Sequence, residues 1–187
     1  MGKLVVSEFV TLDGVMEDPG GAEGFRRGGW AFQFDRGPEG DKFKLDELVA
    51  AEALLLGRKT YEGFAAAWPD RTDEAGFADK MNSMPKYIVS TTLTDPEWQN
   101  STVISENVAE EIVKLKQQPG GDILVAGSAQ LVQTLLEHDL IDEWRLMVFP
   151  VVLGAGKRLF KDGAGRTALK LVEAKPSADV VMLRLQH

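Results

Sequence analysis

An α/β fold built on a mixed, mostly parallel central sheet is predicted for this chain by three observations. Short apolar runs rich in β-branched residues alternate with segments of helical spacing through most of its length. Three of those runs end on small or hydroxyl residues just before a helical segment. The final stretch instead holds two apolar segments facing each other across a turn, which reads as an antiparallel hairpin.

Residues 3–12 read as the first strand. A glycine-rich, acidic loop follows from Asp13 to Gly29 and includes Pro19-Gly20-Gly21; so long a loop serves as a lid over a site or as a solvated connector. Trp30, Phe32 and Phe34 alternate as a buried strand would, and could equally stack on a flat heterocycle. From Glu39 to Ala51 the positions Phe43, Leu45, Leu48 and Val49 suit a helix, and strand-like Ala53 to Leu56 comes next. Helices are also predicted at Thr60 to Ala67, Asp73 to Met81, Asn107 to Gln117 and Ala129 to His138. Strands are predicted at Tyr87 to Ser90, Thr102 to Ser105 and Ile123 to Ala126. Glu143 to Val152 alternates as another strand, and Leu169 to Ala174 with Val180 to Leu185 makes the hairpin, joined across Lys175 to Asp179. No linker or internal repeat divides the chain, so residues 1–187 are expected to form one domain.

Composition removes several functions. With 29 acidic against 21 basic residues and a net charge of −8, no basic stripe offers itself to nucleic acid. The absence of cysteine excludes disulfides, thiolate nucleophiles and Cys-ligated zinc, and two histidines, His138 and His187, leave little for a triad or a metal site. No metal is expected. Glu8 interrupts the first apolar run too early for a signal peptide, and no run has bilayer length, so a cytoplasmic location is expected.

The three strand-to-helix junctions carry the chemical signal, because a helix start leaves backbone N–H groups free to bind phosphate. At the first, Gly57 permits close approach while Arg58, Lys59 and Thr60 follow; cations at a helix N-terminus oppose its dipole, and an anionic ligand relieves the conflict. At the second, Ser90, Thr91 and Thr92 offer hydroxyls with no carboxylate, which favours a 2′-phosphate over a free ribose hydroxyl. At the third, Gly127 precedes Ser128, a good N-cap. Gly154-Ala155-Gly156-Lys157 lacks the spacing of an ATP-binding phosphate loop.

In order and spacing, Leu56-Gly57-Arg58-Lys59-Thr60-Tyr61-Glu62, Ile88-Val89-Ser90, Val125-Ala126-Gly127-Ser128-Ala129-Gln130-Leu131 and Leu140-Ile141-Asp142-Glu143 resemble the dihydrofolate reductase superfamily. Pro150-Val151-Val152-Leu153-Gly154-Ala155-Gly156-Lys157-Arg158-Leu159-Phe160, with Leu12-Asp13-Gly14, is similar to the reductase half of the bifunctional riboflavin-biosynthesis deaminase/reductase. The resemblance implies a three-layer fold, a homodimer, and reduction of a pterin or ribosylaminopyrimidine with NADPH. It places Gly57 to Thr60 at the adenosine-side phosphates, Ser90 and Thr91 near the 2′-phosphate, and Gly127, Ser128, Ala129, Gln130 and Leu131 along the pyrophosphate and nicotinamide ribose. Dihydrofolate reductases usually carry two adjacent glycines joined by a cis peptide at the last of these, where this chain has Gly127-Ser128. A deaminase half is not expected, since zinc ligands are lacking.

Such a reduction needs a carboxylate to manage a proton. In dihydrofolate reductases it lies on the helix before the Gly-Arg motif, and the matching offset of 16 residues before Gly57 falls on Asp41. Asp13, which the riboflavin-type branch places at the mouth of the cofactor site, is the rival, although Asp-Gly is also a turn former. Trp30 and Gly154 are the candidates for touching substrate. The same architecture would also suit a nucleotide-binding or regulatory module without turnover.

Overall fold

A computed structural model describes residues 1–187. Eight strands form one sheet: β1 (Leu4–Thr11), β2 (Ala51–Gly57), β3 (Lys86–Val89), β4 (Ser101–Ile104), β5 (Asp122–Val125), β6 (Glu143–Phe149), β7 (Lys170–Ser177) and β8 (Val180–Gln186). Their order across the sheet is β4-β3-β2-β5-β1-β6-β8-β7. The first six run parallel, and β8 pairs antiparallel with β6 and with β7. The helices are α1 (Gly37–Ala50), α2 (Arg58–Ala67), α3 (Phe77–Ser83), α4 (Val108–Gln117) and α5 (Ala129–Glu137). The predicted mixed sheet with a C-terminal hairpin is the one observed.

Alternation along the strands makes three layers, because successive side chains point to opposite faces and both faces must be covered. Leu4, Val6 and Val10 of β1 face Ile112 of α4 and Leu131, Val132 and Leu135 of α5. Val5, Leu54 and Leu56 face Leu48 of α1, Tyr61 of α2 and Met81 of α3. A third cluster closes the C-terminal end of the sheet, where Phe149 meets Trp30 and Phe9 edge-on at 5.3 and 5.2 Å between ring centroids. No helix is long and apolar enough to cross a membrane.

Three local expectations need correction. Trp30, Phe32 and Phe34 do not form a strand: Trp30–Gln33 is a short 3-10 helix. Ladder partners are missing there, and the segment is held by bonds from the Ala31 N–H to the Pro19 carbonyl and from the Trp30 indole to the Glu17 carbonyl. The hairpin connection is also shorter than predicted, since β7 continues through Lys175, Pro176 and Ser177 to a turn at Ala178-Asp179. Proline is tolerated because β7 is an edge strand and needs no ladder donor at that position. Asp73 precedes the third helix instead of opening it, and its carboxylate accepts the N–H groups of Phe77 and Ala78 at 3.0 and 2.7 Å.

Candidate functional site

The chain leaves β1 and β5 on opposite faces of the sheet. From β1 it runs through the long loop to α1; from β5 it enters α5, which packs on the other side. Such a switch point opens a crevice at the carboxyl ends of the strands, the usual ligand position in an α/β sheet.

Two of the three junctions meet at this crevice. The Gly57 N–H donates to the Gly127 carbonyl at 3.0 Å, and a Cβ at Gly57 would collide with Ser128 Oγ. Gly127 has φ +107°, a conformation L side chains rarely adopt, and a Cβ there would lie 2.8 Å from Thr60 Oγ1. The Gly127–Ser128 peptide is cis. Ser128 caps α5 by accepting the Leu131 N–H at 3.4 Å, Leu131 points into the core, and Gln130 is exposed.

The first turn of α2 has no side-chain cap, so its N–H groups stay available, with Arg58 and Lys59 beside them. Arg58 pairs with Glu62 at 2.8 Å on the helix surface. Ser90 ends β3 at the same sheet edge, but its hydroxyl is taken by the N–H groups of Thr92 and Leu93 at 3.1 and 3.0 Å. It shapes a turn that presents Thr91, which is exposed. Free helix N–H groups, two cations and hydroxyls along one edge are a donor set suited to the phosphates of a dinucleotide.

The loop after β1 is tied over this edge. Buried Asp18 accepts the N–H groups of Glu23 and Phe25, both at 3.1 Å, and Glu17 accepts the Lys157 N–H at 2.8 Å. Asp13 clamps the same region, since its carboxylate accepts the Thr11 hydroxyl and the N–H groups of Leu153 and Gly154. Gly154 is thus a main-chain donor to Asp13. The Thr11 hydrogen bond, aided by the Gly154 and Leu153 N–H donors, outweighs the opposing effect of burial and pulls Asp13 down to about 2. An acid held that low gives up its proton far below neutrality and works as a fastener.

Asp41 lines a cleft of about 260 Å³ together with Phe9, Ala31, Phe32, Phe34 and Arg36. It sits at the rim, with a side chain 64% exposed and 2.7 Å from the Arg36 guanidinium. Of the two readings open for Trp30, stacking on substrate or packing in the core, the structure shows the second: it is 1% exposed, with its ring against Phe149. The aromatic walls of the cleft are Phe9, Phe32 and Phe34.

Further polar groups are buried on the two sides of β1 near the crevice. On the α1 side of β1, Ser7 donates to Glu47 at 2.6 Å and accepts from Lys44 at 2.7 Å, while Lys44 also pairs with Glu47. Lys44 Nζ lies 5.1 Å over the Phe9 ring, which joins this trio to the cleft wall. On the other side stands Glu8, 8% exposed, whose Oε1 has no hydrogen-bond partner and lies 3.8 Å from where a Cβ on Gly127 would be. Burial, more than the neighbouring charges of Lys44, Glu47 and Glu23, pushes Glu8 up to about 8. A carboxylate inside a strand covered on both faces is the signal that could have singled out Glu8 in the sequence. Lys44 and Glu47 carry no such mark, being ordinary charges on a helix.

Comparison with known proteins places this geometry in a family. The solved structure of a putative riboflavin biosynthesis protein from Shewanella sp. PV-4 superimposes with a TM-score of 0.78 at 19% identity, covering 100% of this chain and 98% of that one. A deaminase/5-amino-6-(5-phosphoribosylamino)uracil reductase from Thermotoga maritima follows the same fold, with a TM-score of 0.67 at 16% identity over 99% of this chain and 56% of its own. The uncharacterized Bacillus subtilis (strain 168) proteins YyaP and YwjB are 32% and 30% identical over 99% and 97% of this chain, covering 94% and 95% of their own lengths. With its residues 2–183 matched by the model of the RibD C-terminal domain, the chain belongs to that family.

Proposed function

We propose that this protein is an NADPH-dependent reductase of a planar nitrogen heterocycle of the pterin or ribosylaminopyrimidine type. The observation that carries the reading is the convergence of Gly57, Thr60, Gly127 and Ser128 at one crevice, beside an uncapped helix start flanked by Arg58 and Lys59. The α2 N–H groups with Arg58, Lys59 and Thr60 would hold adenosine-side phosphates, Thr91 would stand near a 2′-phosphate, and the start of α5 would receive the pyrophosphate. When bound, the reduced nicotinamide supplies the electron pair of the reduction. The tied loop between Asp13 and Gly29 would keep water from the crevice, where a flat heterocycle would lie against the end of β1. Family membership and the named activity of the Thermotoga maritima structure support this substrate class. The same reading makes the protein a cytoplasmic homodimer.

Thermal unfolding with NADPH, NADH or neither tests the proposal. NADPH at about a hundredfold excess over its Kd stabilises the fold by about 2.7 kcal/mol, NADH does so less, and Gly127→Ala, which crowds Thr60, loses the shift. Failure of NADPH to raise the melting temperature even at millimolar excess overturns the reading.

A further inference from the structure

We propose that Glu8 is the acid that protonates the substrate, an assignment that rests on the reductase reading above. The reduction adds a hydride from the nicotinamide and a separate proton, so a group beside the nicotinamide site is needed to hold that proton. Four observations select Glu8. It stands on β1 at the switch point, beside the end of β5. It is 8% exposed, and its Oε1 has no partner. That oxygen is 3.8 Å from the position a Cβ on Gly127 would take, next to Thr60, in the crevice where the two glycine junctions meet. Lys44, the cation that acts on it, is already bound to Ser7 and Glu47.

A carboxyl group without an ion-pair partner in such a place is favoured in its neutral form, and burial pushes Glu8 up to about 8. The charged groups facing it set the remainder: Lys44 from α1 favours ionisation, whereas Glu47 from α1 and Glu23 from the overlying loop oppose it. Asp13 and Asp41 lack these properties, one being held near 2 by hydrogen bonds and the other exposed beside Arg36.

In the step itself, the Glu8 O–H bond breaks and a new bond forms between that proton and the heteroatom of a C=N or C=O group. The adjoining carbon is reduced with the electron pair and hydrogen taken from NADPH, which is oxidised to NADP⁺. Glu8, left as a carboxylate, takes a proton from solvent before the next turnover.

The test compares wild type with Glu8→Gln and Glu8→Asp, using NADPH and 5-amino-6-(5-phosphoribosylamino)uracil or dihydropterins as probes. Infrared difference spectra of wild type minus Glu8→Gln should show a protonated carboxyl that titrates at about 8. The NADPH-induced melting shift should be kept in both variants, while kcat falls at least about 100-fold in Glu8→Gln at little changed KM and recovers in part in Glu8→Asp. The loss of wild-type kcat on the alkaline side should vanish from the residual activity of Glu8→Gln. A Glu8→Gln enzyme within a few-fold of wild type, or a Glu8 already ionised at neutral pH, overturns the assignment and leaves the reductase reading standing. A wild type that neither binds NADPH nor turns over any probe overturns both.

Discussion

Glu8 and Glu143 are buried glutamates on neighbouring parallel strands, one near the carboxyl edge of the sheet and the other at the amino edge, and their surroundings are opposites. Glu143 is fully buried and receives Arg145 at 2.7 Å, Arg184 at 3.2 Å, Gln186 at 3.1 Å and Lys3 at 3.4 Å. Burial alone would raise it, but the hydrogen bonds from Arg145 and Gln186 and the charges of Arg145 and Arg184 together hold it at about 2. Glu8 has burial without the donors and is pushed up to about 8. A buried charge that is fully paired fastens strands together, whereas one left alone keeps its proton and is free to use it.

The largest expected effect comes from breaking the paired end. Glu143→Ala strands Arg145 and Arg184 without their shared acceptor and should cost about 3–5 kcal/mol in urea unfolding. A loss below about 1 kcal/mol would mean that the cluster adds no net stability.

Next comes a contrast in pH dependence. Glu143 has a folded pKa below its ordinary value of 4.5, so its contribution is complete above 4.5 and is lost as pH falls toward about 2. Glu8 has a folded pKa above 4.5, so stability is greatest below 4.5 and declines as pH rises through about 8. Replacing Glu8 by Gln should remove that decline, which has a slope of up to about 1.4 kcal/mol per pH unit, while leaving the acid limb intact. Calorimetric unfolding of both proteins across this range measures it, and parallel curves would place Glu8 in the ordinary carboxylate range.

The smallest effect sharpens the comparison at the rim of the Glu143 cluster. The Lys3 side chain is 53% exposed, so Lys3→Met should change stability by less than about 1 kcal/mol and lower its salt sensitivity. A larger loss would show that Glu143 depends on every donor it has.

Much of this architecture is legible along the chain because the signals are local. Strand and helix periods, the Ser128 cap and the glycines of the junctions are set by neighbours within a few residues, and each falls where the alternation places it. Two of the misplaced segments are held by distant groups. Trp30–Gln33 follows the Pro19 and Glu17 carbonyls in place of a strand partner, and the end of β7 is drawn out by pairing with β8. For the candidate site, residue types at the phosphate-facing edge are readable, since free N–H groups follow from any helix start. The carboxylates are less so: family resemblance points to Asp13 and Asp41 for a proton-handling role, while the fold binds the first to main-chain N–H groups and leaves the second exposed beside Arg36.

The order of elements, the layered α/β plan and the donor-rich junctions are properties of the sequence itself, since periodicity and backbone freedom act over short range. Which acid stands alone is a property of the folded molecule. Lys3, Arg184 and Gln186 reach Glu143 from separations of 140, 41 and 43 residues, while no comparable donor arrives at Glu8 Oε1. Pairing and desolvation depend on what the fold brings within a few ångströms, and only tertiary structure sets those distances.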